Sequence, residues 1–351
     1  MNFYKKLFNN SNIRKNNNCK IVYIFDDSFH SQFFTVTNSI LKNEKKESPD
    51  SIEFYITYFG KRDRIIDLLK GIKLNFPNNK FYLKHIESEF PDLWKKYENL
   101  YDYEKSADHI QTSSVLCRFD LHTIWPGIDG KIIYLDLDLI VKGSISELFD
   151  LSNSDKIIQA CRTEQILASE VRTIAVNKPK PNEFYLNDFR RNVEYIYYRY
   201  IQKTSSNAKL VKEILEKEYN LAGMSFNAGV LILDLTKFRQ DKKLKEHINF
   251  LMTLNKDGFL FRHNDQSIFN IAFYNQVGFI DPAWNCLDYG WETDKNLCES
   301  RLRNNVYVRK SFLEGKIIHY NGPQKPWDWD PDNPVTNYFL ESVELWKKYV
   351  I

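Results

Sequence analysis

Several short stretches of this chain gather groups able to hold a cation and a phosphate. In "KIIYLDLDLIVKG", Asp136 and Asp138 stand two residues apart within an otherwise apolar run. Alternate side chains of a strand share a face, so residues at i and i+2 point the same way. Two carboxylates about 6 Å apart repel by roughly 2–3 kcal/mol at an effective dielectric of about 20. A buried strand that keeps both needs a positive charge to offset them. Two hard oxygen ligands suit Mg²⁺ or Mn²⁺, which retain further positions for water and substrate phosphates. The competing reading is an amphipathic edge strand with its leucines inward and its aspartates in water. The apolar "IIY" just before the pair counts against an exposed face.

"KIIHYNGPQKPW" adds complementary groups. His319 follows an apolar triplet, at a strand end, and could be a nitrogen ligand to a borderline metal such as Mn²⁺, or simply a structural histidine. Gly322 would let the backbone approach a phosphate closely, and Lys325 would bring a point charge to it. At the end of the first apolar run, "FDDS" offers Asp26, Asp27 and Ser28. A carboxylate there could accept from a base NH or a ribose hydroxyl, or serve only a turn.

To meet, these groups need strands that end at a common edge. "CKIVYIFDDSF", "SIEFYITYFG" and "NKFYLKHIE" read as strands, with helices over "FFTVTNSILKNEK" and "KRDRIIDLLKGIK" between them. A polar, Tyr-rich connection through Lys105 follows, then a helix over "SSVLCRFDLHTIWPGIDG" stopped near Pro126. "KIIYLDLDLIV" is predicted as one strand, "SFNAGVLILDL" as another, "TKFRQDKKLKEHINFLMTLN" as one amphipathic helix and "DQSIFNIAFYN" as a short one. The tail reads as turn-rich. Strands alternating with helices predict an α/β fold, with a Rossmann-like, mostly parallel sheet flanked by helices. Ligands of such sheets bind beyond the carboxyl ends of the strands. Residues 1–19 read as a frayed leader and 20–351 as a single domain, carrying a charged, Tyr-rich helical insertion at about 164–223.

The chain has 351 residues, 43% hydrophobic and 27% charged, enough for a substantial core, and its formal charge of +3 gives no reason to expect nucleic acid as a partner. Five cysteines without a CxxC pair argue against a disulfide framework or a zinc knuckle and for a reducing compartment. The sequence shows neither a signal peptide nor an apolar run of the ~20 residues that cross a bilayer, which points to a cytoplasmic protein. In the insertion, Tyr195, Tyr197, Tyr198 and Tyr200 lie among Arg and Lys. They could stack on sugars, rest against anionic lipid as a peripheral membrane contact, or pack an ordinary helix.

The order "FDDS", "SSVLCRFDL", "YLDLDLIV", "SFNAGVLILDL", "NDQSIFN", "WN" and "HYNGPQKPW" resembles glycosyltransferase family 8 from about residue 20 to 330, broken only across the insertion. The resemblance implies the GT-A fold and a retaining hexosyltransferase. Such an enzyme moves a hexose from a UDP-sugar, through Mn²⁺ or Mg²⁺, to a glycan, glycolipid or protein acceptor. It further implies that Asp136, Asp138 and His319 hold the metal, with Leu137 between the carboxylates, and that Asp26, Asp27 and Ser28 face the uridine. Arg118 then reaches the donor sugar or diphosphate, Asn227 and Ala228 lie under the donor sugar, and Asp265 and Gln266 line the anomeric carbon. Gly322 and Lys325 contact the diphosphate. Ser28 stands where relatives commonly have Asn nearby, which implies a change in one base or ribose contact; Arg162, Thr163 and Glu164 occupy a segment where many carry an aspartate, which implies a donor-hexose or acceptor preference unlike that of the bacterial galactosyltransferases. Trp284, Trp291, Trp327 and Trp329 are candidates for the acceptor groove, Trp284 equally for the core.

A phosphatase of the haloacid-dehalogenase type also places a DxD at a strand end, but near the N-terminus and followed by Thr or Val. Here the pair lies mid-chain and precedes Leu139. The remaining alternative is a catalytically silent sugar-nucleotide-binding scaffold.

Overall fold

The computed structural model describes residues 18–45, 52–100, 113–151, 155–162, 226–256, 264–273, 276–287, 315–321, 325–332 and 337–351. The predicted insertion, most of the leader, Thr163, Glu164, Trp291 and Gly322 lie outside the described residues.

Strands β1 (Cys19–Phe25), β2 (Ile52–Tyr58) and β3 (Lys80–His85) pair in parallel, joined by helices α1 (His30–Asn43) and α2 (Arg64–Asn75). On its other side β1 pairs in parallel with β4 (Lys131–Leu135), and β4 meets β7 (Phe226–Asp234) antiparallel. β6 (Ile158–Arg162) lies antiparallel to β7 and parallel to β8 (Val277–Ile280). Among the described residues the large sheet thus has seven strands in the order β3-β2-β1-β4-β7-β6-β8, mostly parallel as expected. Both faces are covered. Ile21, Tyr23 and Phe25 of β1 enter one core while Val22 and Ile24 enter the other, which is why these strands read as unbroken apolar runs. Among the described residues no helix is long and apolar enough to cross a membrane.

Several expectations are corrected. "KIIYLDLDLIV" is not one strand: β4 ends at Leu135, the chain bends through Asp136–Asp138, and β5 (Leu139–Val141) joins a second, smaller sheet. There β5 pairs antiparallel with β10 (Ile317–His319), which pairs in parallel with β9 (Cys286–Leu287). The polar connection before Lys105 contains helix α3 (Pro91–Leu100), which begins at a proline whose missing N–H costs nothing in the first turn. The segment before Pro126 is largely 3-10 (Ser113–Asp120), followed by one α-helical turn. The amphipathic run after β7 is two helices, Leu235–Gln240 and Lys242–Lys256, because Asp241 caps the second: its Oδ1 accepts from Leu244 N at 2.9 Å.

The tail is not only turns. Asn337–Lys347 is a helix whose Trp346 packs on Tyr320 and Trp327, with ring centroids 5.7 and 4.7 Å away. Trp327 is half-buried against Trp346, Trp329 lies against the Lys347 ammonium, and Trp284 is 1% exposed in the core.

Candidate active site

The bend between β4 and β5 is where the two sheets meet. Asp136 N donates to Gly229 O at 2.8 Å, continuing the β4–β7 ladder by one residue, and Tyr320 N donates to Asp138 O at 2.7 Å, tying the bend to the end of β10. Leu137 turns inward and is buried in the core, so the carboxylates on either side of it face out of the bend. His319 pairs with Leu139 across the small sheet. Its Nε2 lies 3.1 Å from Asp138 Oδ1 and 3.9 Å from Asp136 Oδ2. The ligand atoms of the three residues fall within 4.8 Å of one another. The bend, rather than strand pleating, thus brings the pair together.

Each carboxylate is held by its outer oxygen. Asp136 Oδ1 accepts from Arg118 Nη2 at 2.7 Å and from Tyr134 OH at 2.6 Å, which leaves Oδ2 toward His319. Asp138 Oδ2 takes Lys325 Nζ at 2.7 Å, and that ammonium also donates to Tyr320 O. Burial works against the charge on Asp138, but Lys325 and His319 outweigh it and hold the carboxyl well below its ordinary range. Two half-buried carboxylates and a buried imidazole nitrogen suit Mn²⁺ or Mg²⁺. Gly229 keeps that space open: a Cβ there would overlap the His319 ring and lie 2.7 Å from Asp136 Oδ2.

Arg118 links this site to a second carboxylate. Its guanidinium stacks over the Tyr134 ring at 4.4 Å, Nη1 donates to Ala228 O at 3.0 Å, and Asp265 Oδ2 stands 3.0 Å away as an ion pair. Burial disfavours the charge on Arg118, yet Asp136 and Asp265 raise its pKa above the ordinary value. Burial also pushes the Asp265 carboxyl up to about 6, against the pull of Arg118. Arg118 Nε is buried without a hydrogen-bond partner among the described residues, while Asp265 Oδ2 has the Arg118 ion pair as its partner. A buried donor left over in this way suits a polar group of a ligand.

Helix Asn264–Ala272 carries Asp265 and Gln266 and is stitched to the start of β7. Asn270 accepts from Phe226 N at 2.8 Å and donates to Phe226 O at 2.9 Å, while Gln266 Oε1 accepts from Ala228 N at 2.8 Å. Asn227 Oδ1 is occupied by Gly229 N and Asn285 Nδ2.

The structure thus brings Arg118, Asp136, Asp138, Asn227, Ala228, Asp265, Gln266, His319 and Lys325 into one hydrogen-bonded and ion-paired group. Asp26, Asp27 and Ser28 lie at the end of β1, one strand over. Asp26 Oδ1 accepts from Ser28 N at 3.0 Å, and Asp27 accepts from Tyr58 OH and from Lys61 N. Asp26 thus closes its own turn, whereas Asp27 bridges from the end of β1 to Tyr58 of β2 and to the loop after it. Sequence reasoning missed Tyr134 and Gly229. Tyr134 precedes Asp136 by two positions in an apolar strand, and that spacing was its one signal.

Fold and site together define a GT-A type glycosyltransferase framework: a mostly parallel α/β sheet with an Asp–Asp–His group at a strand end. The profile of Glycosyl transferase family 8 matches residues 20–330, and the chain belongs to that family. Among relatives, General stress protein A of Bacillus subtilis is 22% identical over 345 residues, covering 95% of this chain and 96% of that one. Lipopolysaccharide 1,3-galactosyltransferase of Salmonella typhimurium is 25% identical over 237 residues, covering 66% of this chain and 54% of that enzyme. The galactosyltransferase LgtC, solved in complex with donor and acceptor sugar analogs, superposes with a TM-score of 0.56 at 17% identity, covering 95% of this chain and 96% of its own.

Proposed function

We propose that the protein is a retaining hexosyltransferase. It takes a hexose from a UDP-sugar, UDP-glucose or UDP-galactose, and joins it to a hydroxyl of a glycan, glycolipid or protein acceptor. One observation carries this reading: Asp136, Asp138 and His319 converge with Lys325 on one side and the Arg118–Asp265 pair on the other. Bound between the first three, Mn²⁺ or Mg²⁺ supplies a Lewis acid for the diphosphate.

The chain's own groups do the rest. Lys325 turns its ammonium to the diphosphate, Gly322 is the residue assigned to a close approach to the same group, and Arg118 steadies both Asp136 and the donor. Asp26, Asp27 and Ser28 hold the uridine end, while Asn227 and Ala228 form a floor under the hexose. The bond from the anomeric carbon to the diphosphate oxygen breaks. A bond from that carbon to the acceptor oxygen forms, and the acceptor proton passes to the departing diphosphate. Such preorganised charge supplies the largest share of many rate enhancements.

Retention needs either a nucleophile below the sugar or attack from the leaving-group face. Gln266 is a neutral amide whose oxygen is already engaged by Ala228 N, and Asp265 is buried against Arg118. Neither is a free nucleophile, which favours the front-face route. Trapping a covalent glycosyl-enzyme on Asp265 would overturn it.

The test is UDP release from UDP-glucose, UDP-galactose and UDP-N-acetylglucosamine with Mn²⁺. One donor is expected to be hydrolysed slowly, with EDTA stopping the reaction and Asp138→Ala abolishing it. Full turnover by Asp138→Ala refutes the metal assignment. Donor binding with no turnover against any acceptor class favours a silent sugar-nucleotide-binding scaffold.

A further inference from the structure

Behind the metal-ligand group, His319 is held by a chain of amides whose direction is set by the backbone. Asn227 Oδ1 accepts from Gly229 N at 2.8 Å and from Asn285 Nδ2 at 2.9 Å, and Asn285 Oδ1 lies 2.9 Å from His319 Nδ1. Asn227, Asn285 and His319 are 7, 5 and 2% exposed, so water has little access to replace any of these bonds.

A backbone N–H can only donate, so the Asn227 atom that faces Gly229 is its oxygen. The Asn285 atom facing that oxygen is then its NH₂. The atom it turns to the ring is its carbonyl oxygen, which can only accept. Polarity therefore runs one way, from Gly229 N–H to the imidazole, and ends with the hydrogen on Nδ1. Nε2 is left as the nitrogen that faces Asp138 and Asp136.

We infer that Asn285 is a positioning residue of the metal site: it fixes Nδ1 as the hydrogen-bearing nitrogen of His319 and presents Nε2 to a divalent cation. This inference rests on the metal reading given above. The fold puts Asn285 there through the parallel register of β9 and β10, which sets Ile318 opposite Cys286 and His319 opposite Leu287. The 3-10 turn Pro282–Trp284, anchored by the buried Trp284, delivers the amide at the start of β9. Gly229 has two parts in the arrangement. Its N–H starts the chain, and its missing side chain leaves room for the ring that ends it.

The experiment uses the full chain without donor. Mn²⁺ affinity is measured by calorimetry, and the metal-free protein is examined by ¹⁵N-histidine NMR, with the His319 signals assigned by their loss in His319→Gln. Asn285→Leu is expected to weaken Mn²⁺ roughly 10–100-fold, the range typical for removing an outer partner of a metal histidine. It should also lose the slowly exchanging Nδ1–H signal. Asn285→Asp keeps an acceptor facing Nδ1 and should retain that signal, although its second oxygen meets Asn227 Oδ1 where the amide donated. Asn285→Ser, too short to reach the ring, replaces the leucine variant if the latter does not fold.

Wild-type affinity in Asn285→Leu overturns the inference. So does loss of the Nδ1–H signal in Asn285→Asp, which still offers the ring an acceptor. Wild-type protein that binds no Mn²⁺ removes the metal reading and this inference together. Wild-type binding with an unchanged leucine variant removes this inference alone.

Discussion

Replacing Lys325 by alanine separates two roles that the geometry gives to one ammonium. Nζ lies 2.7 Å from Asp138 Oδ2, on the carboxylate that would also coordinate the cation. A metal arriving alone must share Asp138 with this charge or displace it. At an effective dielectric of about 20, a unit pair at that spacing interacts by up to about 6 kcal/mol. The two side chains are 23 and 18% exposed, so solvent removes part of this. A net competition of about 1–2 kcal/mol corresponds to roughly 5–30-fold in affinity. Lys325→Ala should therefore bind Mn²⁺ more tightly than wild type when UDP is absent. With UDP present the sign reverses. If Lys325 has the diphosphate role proposed above, the wild-type ammonium leaves Asp138 for the diphosphate, and the variant should lose that contact and bind UDP more weakly. Coupling between metal and nucleotide is reciprocal, so calorimetric titration of each in the absence and presence of the other measures it from both sides. Unchanged or weaker Mn²⁺ binding by Lys325→Ala without UDP would refute the shared-carboxylate reasoning.

Gly229→Ala places a Cβ against the His319 ring and 2.7 Å from Asp136 Oδ2, so Mn²⁺ binding should be lost while far-UV circular dichroism stays near wild type; retained binding contradicts the packing argument. Arg118→Leu leaves Asp265 and Asp136 without their buried partner and should lower stability by about 3–5 kcal/mol in urea unfolding, with a loss below about 1 kcal/mol counting against the buried pair. Burial raises the Asp265 carboxyl to about 6, so the folded state favours its protonated form. Its contribution to stability is present below the ordinary carboxylate range and is lost as pH rises through about 6. Asp265→Asn removes this titration. The stability of wild type relative to this variant should therefore fall by up to about 3 kcal/mol between about pH 4 and pH 7, and a flat or rising difference disproves the assignment.

Much of the fold was legible because both faces of the large sheet are buried. β1, β2, β4 and β7 show it as continuous apolar runs, and the crossover helices α1 and α2 show it as helical spacing. The less legible elements are those whose local pattern is weak. Helix α3 is polar and aromatic, and its Lys96 and Tyr97 are drawn in by Asp120, which lies beyond the range of any local window. The C-terminal helix is held by Trp346 on Tyr320 and Trp327, a contact between parts of the tail that a run of turns conceals.

The chemistry divides in the same way. Residue type and spacing alone nominated Asp136, Asp138, His319 and Lys325, because a carboxylate pair in an apolar run demands compensation whatever the fold. The ordered motifs nominated Arg118, Asn227, Asp265 and Gln266. Only the tertiary structure decided that the carboxylates meet through a bend between two sheets, that β7 runs antiparallel so that Gly229 lies beside Asp136, and that Lys325 reaches Asp138 across 187 positions of chain. It also decided that Arg118 serves two carboxylates and that Asn285 stands behind His319. A sequence records what each residue can do and how its neighbours repeat. Which distant groups share a charge or a hydrogen is fixed by strand register and burial, and those belong to the folded chain.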